Sequence, residues 1–450
     1  MRRRFFLAGA GGLGLAGIAG PALAAGDLAP ALRPITPACD HHQHLLSPMA
    51  AAREWEPKPG GPVELPADLA ALVAAREKAW NDPKALEALY AEDAAVLDSD
   101  EHSWIRGRKE AAEYVGERFA RPYRITAMSF SAGAAQAHIA GYFTRGDGAA
   151  ARHFGALQLS LVKGADGAWR IAAESPAFPG PGGAMEPIDA ARLVGLLDET
   201  WIARAVVLSL AYWYGSPLHP PVADELAKVR AENDWTAAQC ARFPGRLTAF
   251  CSVNPLKDYA LDEIDRCARS GGFKGLKLHF GNSRVDAKSP EHVARLKQVM
   301  AAANARRLGV VAHLWTSAGY GAPEARSFLD NLLPSAPEVT VQIAHMAGGG
   351  PGWTDPALEV FADAVARGDP RTRNLCFDVA TVADGQSGEN LRLLASRIRQ
   401  IGLKRILYGS DAAFGGRNTP RTEWGTFRGM VPLTDAEFRT IAGNQAPYLR

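Results

Sequence analysis

Residues 309–313 read GVVAH, a short apolar run that ends in a histidine. Residues 341–345, VQIAH, repeat this pattern, and residues 406–411, ILYGSD, end in an aspartate. Short apolar runs that alternate with amphipathic segments predict parallel β-strands joined by crossover helices. We therefore expect the two histidines and the aspartate to lie together at the C-terminal edge of one sheet, which is the active face when such a sheet closes into a barrel.

The same alternation extends over most of the chain and predicts eight strands. They are expected at residues 35–46, 205–210, 247–253, 273–280, 309–315, 339–345, 374–379 and 405–408. Helices are expected near 188–200, 222–242, 258–270, 290–307, 322–333, 356–367 and 389–401. Eight such units predict an α/β fold, a (β/α)8 TIM barrel, with an open doubly wound sheet as the alternative. No GxGxxG motif follows a strand and no P-loop is present, which argues against dinucleotide or nucleoside triphosphate binding.

Residues 66–178 interrupt this alternation after the first predicted strand. Apolar side chains recur with helical spacing over 69–80 and again over 86–90, and a third short helix is predicted over 111–119. Four alternating segments follow at 125–130, 135–143, 154–162 and 169–174, with Gly/Asp turns between them. We therefore predict an inserted α+β domain at 66–178, with the first barrel strand in 25–65 and the remainder of the barrel in 179–450.

The first 24 residues have the composition of an export signal. Three arginines, at positions 2–4, precede an apolar run, and Ala22-Leu23-Ala24 offers an A-x-A cleavage site. The sequence RRFFL at residues 3–7 resembles the twin-arginine type, with an ordinary secretory signal as the alternative. No second segment is long and apolar enough to span a membrane, so the sequence predicts a soluble protein exported to the periplasm.

Composition narrows the range of partners. The 450-residue chain has 50 Lys and Arg against 48 Asp and Glu, which gives no overall electrostatic signature of nucleic acid or anionic lipid binding. Its five cysteines are odd in number and lack CxxC spacing, so neither a disulfide scaffold nor a cysteine-rich zinc module is indicated. We expect the partner to be a small-molecule substrate.

A histidine cluster in the first predicted strand suggests a metal site. His42 and His44 are two residues apart, so both imidazoles can face the same side of a strand. We expect His313, His345 and Asp411 to join them at the strand ends. Three or four nitrogen and oxygen ligands around an open position are typical of catalytic rather than structural zinc.

Lys277 and His279 lie on one face of the predicted strand GLKLH at residues 275–279. A lysine inside a barrel is costly unless it is paired. Three interpretations of Lys277 stay open: a salt bridge to a substrate carboxylate, a structural ion pair, or a carbamylated lysine that bridges two metal ions. His279 is either a substrate contact or a partner of the metal ligands, and Tyr212 and Trp213 either line an apolar substrate pocket or pack beneath the inserted domain.

Taken together, these motifs resemble the amidohydrolase superfamily, in the branch that includes lactone hydrolases and non-oxidative decarboxylases. The resemblance covers residues 35–48 and about 186–450. It implies a barrel with a divalent metal ion, usually zinc, held by His42, His44, His313 and Asp411. His345 is then a catalytic base or electrophile in one-metal members and a ligand in two-metal members. Lys277 resembles the carbamylated bridge of the two-metal hydrolases, so one ion or two is left open.

The resemblance implies hydrolysis of a lactone, ester or amide, with Asp411 and His345 as the catalytic residues. A metal-dependent non-oxidative decarboxylase of an aromatic or enoic acid is the first alternative. A non-catalytic protein that binds a small ligand is the second alternative. The ligand set by itself does not separate hydrolysis from decarboxylation, whereas an intact ligand set argues against the binding protein.

The insertion at 66–178 resembles the SnoaL-like, ketosteroid-isomerase-like cone fold. The resemblance rests on the sequence AWND at 79–82, the pattern LxxLYAxDA at 86–94 and the sequence IRGR at 105–108, followed by the strands. Domains of this kind serve as isomerases, ligand binders or dimerisation modules. No catalytic set is evident in the spacing of its polar residues, so we expect a structural, lid or homo-oligomerisation role.

Overall fold

The computed structural model describes residues 35–51, 62–80, 82–98, 103–118, 123–145, 152–177, 187–218, 221–314, 320–412 and 419–449. The predicted signal at 1–24 lies outside these residues. Two sheets organise the described chain, one of eight strands and one of six.

The eight-stranded sheet is parallel throughout. Its strands, in spatial order, are β1 (Cys39–Gln43), β8 (Arg204–Leu208), β9 (Leu247–Ser252), β10 (Gly275–His279), β11 (Gly309–His313), β12 (Val341–Ile343), β13 (Leu375–Asp378) and β14 (Ile406–Leu407). Sequence order and spatial order agree, as expected for successive right-handed strand–helix crossovers.

The sheet closes on itself between β1 and the segment that follows β14. The amide of His41 donates to the Tyr408 carbonyl at 2.8 Å, and the amide of Asp411 donates to the His42 carbonyl at 2.8 Å. A parallel bridge joins Gln43 to Ala412. The predicted barrel is therefore confirmed, and the open-sheet alternative is wrong.

Helices surround the barrel in the predicted alternation. They span Pro48–Ala51, Ala190–Asp198, Glu225–Ala241, Ala260–Ser270, Phe280–Ser283, Pro290–Ala305, Ala322–Ser327, Asp355–Ala366, Gly388–Ile401, Pro420–Met430 and Asp435–Gly443. Several begin at side-chain caps: Asp189, Ser289 and Ser387 each accept a hydrogen bond from a backbone amide of the first turn. None of the helices in the described part of the chain combines the length and apolar character needed to cross a bilayer.

The six-stranded sheet belongs to the predicted insertion. Its order is β3 (Ser103–Arg106), β2 (Tyr90–Asp98), β7 (Trp169–Ala177), β6 (Arg152–Lys163), β5 (Gln136–Arg145) and β4 (Arg124–Ala132), antiparallel except for the parallel pair β2 and β7. Helices Ala67–Lys78, Pro83–Glu87 and Arg108–Arg118 accompany it, and the three supply apolar side chains to one buried core with the sheet. The predicted α+β fold of this region is confirmed.

One local prediction in this region is wrong. The helix expected over 86–90 spans Pro83–Glu87, because Asp82 caps it and Pro83 fits its first turn. Tyr90 instead opens β2, which the sequence analysis did not predict, and β3 was not predicted either. Alternation in β2 is weak because its buried residues Ala94 and Val96 alternate with apolar Ala95 and Leu97, so side-chain pattern alone does not reveal the strand.

Candidate metal centre

Strand β1 and the segments that follow β1, β12 and β14 bring most of the predicted ligands together. His42 lies in β1 with His44 just beyond it, His345 follows β12 and Asp411 follows β14. Asp411 Oδ1 is 3.5 Å from His42 Nε2 and 3.3 Å from His44 Nε2, and Asp411 Oδ2 is 3.7 Å from His345 Nε2. One ligand atom each from His42, His345 and Asp411 lies within 4.8 Å of the others. We call these four residues the centre.

Hydrogen bonds behind the imidazoles turn one nitrogen of each ring toward the centre. Nδ1 of His44 faces the Leu208 carbonyl at 2.7 Å, and Nδ1 of His345 faces the Ala380 carbonyl at 2.9 Å. Because a carbonyl oxygen only accepts, each Nδ1 carries a proton and donates it there, which leaves Nε2 as the ring nitrogen that faces the centre. His42 follows the same rule, since its Nδ1 lies 3.0 Å from the Asp378 carboxylate. Metal-binding histidines are oriented in this way.

The donor set fits a divalent cation such as zinc. Zinc binds imidazole nitrogen and carboxylate oxygen at about 2.0–2.2 Å, so the ligand atoms of a tetrahedral site are about 3.3 Å apart. The separations between Asp411 and the Nε2 atoms of His42 and His44 match that spacing. In addition, His345 Nε2 is buried and has no hydrogen-bond partner among the described residues. A buried acceptor without a donor is costly, and a bound cation would satisfy it.

The pKa shifts in the centre favour the protonation states in which these side chains bind metals. Burial alone would raise the pKa of Asp411, but His42 and His44 hold that pKa well below its usual range, so the carboxylate is ionised. Burial, together with the positive charge of Lys277, lowers the pKa of His42 to about 4, so its imidazole is neutral near neutral pH. Ionised carboxylate and neutral imidazole are the forms that bind metals.

Unusual backbone geometry places two of these residues. His345 has φ 51° and Asp411 has φ 52°, in the left-handed region that non-glycine residues seldom adopt. Such strain concentrates at functional sites, where the surrounding structure holds it. Gly409 is needed nearby for close approach, because a Cβ atom there would lie 2.7 Å from His42 Cβ.

Lys277 and His313 lie beside the centre. Lys277 is fully buried in the barrel, its Nζ is 3.2 Å from His42 Nε2, and burial lowers its pKa to about 8. The ring centroid of His313 is 4.6 Å from that of His345. His313 does not belong to the set of His42, His345 and Asp411, whose ligand atoms lie within 4.8 Å of one another. Metal ligation by His313 and by a modified Lys277 remain predictions.

The predicted substrate contacts extend from the centre into an apolar cluster. The ring of His279 stacks on His313 with centroids 4.0 Å apart, and the ring of Tyr212 lies 5.0 Å from His279. Tyr212 also belongs to the apolar cluster around Leu46, against which Trp213 packs. Geometry therefore connects His279 and Tyr212 to the centre through His313, and connects Trp213 to them only through this cluster.

Two supporting carboxylates complete the site. Asp378, at the end of β13, accepts from the backbone amide of His345 at 2.8 Å and from Gln342 Nε2 at 2.7 Å, as well as facing His42. Its strand-end position was the sequence signal for this role. Asp40 accepts from the amide and hydroxyl of Ser410 at 3.0 and 2.6 Å, and ties β1 to the segment that bears Asp411. Sequence reasoning missed this tie, although Asp40 opens the histidine motif and Ser410 precedes Asp411.

Comparisons with known proteins agree with this architecture. The sequence profile of the amidohydrolase family matches residues 221–446, just over half of the chain. A search of curated proteins finds no match.

Solved structures match the two regions separately. An amidohydrolase II structure is 17% identical, and the alignment covers 57% of this chain and 86% of that one with a TM-score of 0.41. The 5-carboxyvanillate decarboxylase of Novosphingobium aromaticivorans, solved with manganese and 4-hydroxy-3-methoxy-5-nitrobenzoic acid, is 18% identical over 58% of this chain and 79% of that one, with a TM-score of 0.39. A ketosteroid isomerase-like protein from Erwinia carotovora atroseptica is 21% identical over 26% of this chain and 96% of that one, with a TM-score of 0.22.

Proposed function

Since this chain belongs to the amidohydrolase family, we propose that it is a metal-dependent hydrolase that cleaves a C–O or C–N bond in a lactone, ester or amide. The observation that carries the proposal is the convergence of His42, His44, His345 and Asp411, in which the three Nε2 atoms lie 3.3–3.7 Å from the Asp411 carboxylate oxygens. In the forms that bind metals, neutral imidazole and ionised carboxylate, these atoms are all acceptors and repel one another unless a cation lies between them.

His42, His44 and Asp411 would hold the cation, most simply zinc, and His313 or His345 would complete its ligands. A divalent cation bound there would lower the pKa of a bound water toward about 7 and would polarise a substrate carbonyl. Metal analysis of the purified protein distinguishes one bound ion from two.

The side chains of the centre then have separate roles. Asp411 is ionised and partly exposed, with 28% of its side chain accessible, so an oxygen can accept a proton from water. His345 is fixed through Nδ1 by the Ala380 carbonyl, so its Nε2 faces the centre and, after taking up a proton from water, would orient or protonate the reacting oxygen of the substrate. We propose that Tyr212, Trp213 and His279 line the substrate pocket, with Tyr212 and His279 nearest to the reacting group.

Metal analysis and product analysis test this proposal. Protein purified without chelator should contain one or two equivalents of a divalent metal, and His42→Ala should contain less than a tenth of that amount. Turnover should be sought with a panel of lactones, esters and amides, and with aromatic and enoic acids assayed for carbon dioxide. An active metal-free enzyme would overturn metal dependence.

Product identity separates the reaction classes. Carbon dioxide release without lactone, ester or amide turnover would replace hydrolysis by non-oxidative decarboxylation. A metal-free barrel together with ligand binding that depends on residues 66–178 would replace both by a binding function.

Export is a separate part of the proposal. We propose that residues 1–24 direct the protein to the periplasm by a twin-arginine signal, on the basis of Arg3, Arg4 and the Ala22-Leu23-Ala24 site. A mature protein that begins at Ala25 in the periplasmic fraction, and that is lost on replacing Arg3 and Arg4 by lysine, is the expected result. A full-length product retained in the cytoplasm would contradict it.

A further inference from the structure

A second polar cavity lies at the opposite end of the barrel from the centre. It has a volume of about 660 Å³ and is lined by residues that precede barrel strands, including Thr340 before β12, Asn374 before β13 and Arg405 before β14. These positions belong to the N-terminal face of the barrel, whereas the centre follows the C-terminal ends of its strands. The cavity is therefore distinct from the proposed active site.

The charge of this cavity is one-sided. Arg373, Lys404 and Arg405 line it, and its lining contains no aspartate or glutamate. Most other arginines of the barrel are paired: Arg397 binds Asp355, and Arg399 binds Glu437. In the described chain none of the three cavity cations forms an ion pair.

Hydrogen bonds fix two of the three cations without neutralising them. Arg405 uses Nη1 to donate to the carbonyls of Thr372 at 2.6 Å and Leu375 at 2.9 Å. Arg373 donates to the Pro337 carbonyl through Nε and Nη2, at 3.2 and 2.7 Å. The remaining donors, Nη1 of Arg373 and Nε and Nη2 of Arg405, have no hydrogen bond among the described residues. Cations held in place by carbonyl groups keep their full charge and lose little further freedom when an anion binds.

Neutral groups of the same wall would complete an anion site. The wall includes Thr440, Asn444 and Gln445, which carry no formal charge, so it holds no anionic side chain to compete for the three cations. The volume falls within the range of small-molecule sites. Guanidinium and ammonium groups bind phosphate and carboxylate oxygens by charge-assisted hydrogen bonds.

We propose that this cavity is a second binding site, for a small multiply charged oxyanion that carries phosphate or carboxylate groups. The site is independent of the proposed hydrolytic function, since none of its residues belongs to the centre. Inorganic phosphate and succinate are suitable probes, because they separate phosphate from carboxylate recognition.

Titration calorimetry on the metal-loaded full chain at constant ionic strength tests the proposal. One saturable site per chain is expected for at least one probe. The double variant Arg373→Gln/Lys404→Gln should weaken that binding at least tenfold, because each lost cation removes a charge-assisted hydrogen bond. Lys404→Glu provides a second variant that should fold, since Lys404 is exposed and its side chain has no hydrogen bond or ion pair in the described chain.

Lys274→Gln is the matched control. Lys274 is an exposed cation that also precedes a barrel strand, β10, but it lies outside the cavity lining, so its removal should change the affinity less than twofold. Equal weakening by the control and by the cavity variants would overturn the proposal in favour of diffuse charge attraction. Absence of saturable binding for both probes would overturn it as well.

Thiol labelling gives an independent measurement at the cavity itself. Cys376 lines the cavity and is half-buried, whereas the other four cysteines are buried. A bound probe should slow alkylation of Cys376, located by peptide mass spectrometry, several-fold in the wild type and not in the double variant. Binding that leaves Cys376 unprotected, survives in the double variant and disappears on metal removal would place the anion at the centre and contradict a second site.

Discussion

Two buried polar clusters in this chain solve the cost of burial in opposite ways. In the six-stranded domain, Arg76 donates through Nε and Nη2 to both oxygens of Glu174, at 3.1 and 2.6 Å. Tyr90 donates its hydroxyl to the same carboxylate at 2.5 Å, and Arg76 also reaches the hydroxyl of Tyr123. Every charge in this cluster, which we call the Arg76 cluster, meets a complementary partner inside the protein.

The centre in the barrel is assembled from acceptors instead. The Nε2 atoms of three imidazoles face the Asp411 carboxylate, and Lys277 Nζ lies 3.2 Å from His42 Nε2. In the forms that bind metals, these imidazole and carboxylate atoms are acceptors. A closed ion pair such as the Arg76 cluster organises a core, whereas a set of aligned acceptors is complete only with a cation from outside. This difference, rather than burial or charge alone, distinguishes a binding site from a structural network.

The largest expected effect is the loss of activity when a residue of the centre is changed. Asp411→Asn keeps the size of the side chain but removes its charge and its capacity to accept a proton. Turnover of the preferred substrate should fall by about 10²–10⁴-fold, the range of a positioned acid–base group, and bound metal should fall with it. Steady-state kinetics and elemental analysis check this, and wild-type turnover in the variant would show that Asp411 has neither role.

A change in the Arg76 cluster should lower the free energy of unfolding and leave the metal content unchanged. Glu174→Gln leaves Arg76 as a buried charge without its counterion, which typically costs about 3–5 kcal/mol. Urea unfolding should show this loss while the metal content per folded chain stays at the wild-type value. Glu92→Gln is the control, since Glu92 forms an ion pair in the same domain with an 87% exposed side chain and should leave the unfolding midpoint unchanged. A stable Glu174→Gln protein with reduced metal would reverse the assignment of the two clusters.

Glu232 is an intermediate case, with one oxygen paired and one not. Ser47 donates to Oε2 at 2.5 Å, and Oε1 is buried without a partner among the described residues. Burial raises the pKa of Glu232 from its usual 4.5 to about 7. The folded protein therefore holds a proton that the unfolded chain has released, and this contribution to stability is lost as the pH rises from about 4.5 to 7.

Glu232→Gln removes that titration. The free energy of unfolding of the variant minus that of the wild type should increase across this pH window by up to roughly 3 kcal/mol. Urea unfolding of both proteins at several pH values between 4.5 and 8 measures the difference. Parallel curves would mean that the carboxyl group of Glu232 keeps an ordinary pKa in the folded protein.

The smallest expected effect concerns Asp378, the carboxylate that faces Nδ1 of His42. Asp378→Asn weakens the hydrogen bond that orients His42, and loss of such a partner typically costs 10–100-fold in metal affinity. Competition with a weak chelator should show that shift, and turnover should recover at saturating metal. His41→Asn is the matched control from the same motif, because both ring nitrogens of His41 are engaged by the backbone, at Tyr408 and Ala446. An equal shift in the control would mean that Asp378 acts on packing alone.

Much of the barrel could be predicted because its signals are local. Most of the strands lie in short apolar runs, and the predicted run at 309–315 contains β11 at Gly309–His313. The position of His345 and Asp411 at strand ends followed from the same pattern. Strands β2 and β3 were missed because weak alternation leaves their identity to the pairing with β7 and with each other.

The sequence by itself determined which side chains could bind a metal and at which strand ends they lie, because residue type and strand period are properties of neighbouring residues. Only the tertiary structure decided which nitrogen of each ring faces the centre. The groups that hold His42, His44 and His345 come from Asp378, Leu208 and Ala380, which are 336, 164 and 35 residues away along the chain. The one-sided charge of the cavity at the N-terminal face of the barrel has the same origin, since the pairing of β13 with β14 places Arg373 beside Lys404 and Arg405 without a carboxylate in the lining. Hydrogen-bond partners and local charge balance depend on distances through space, and those exist only once the barrel has closed.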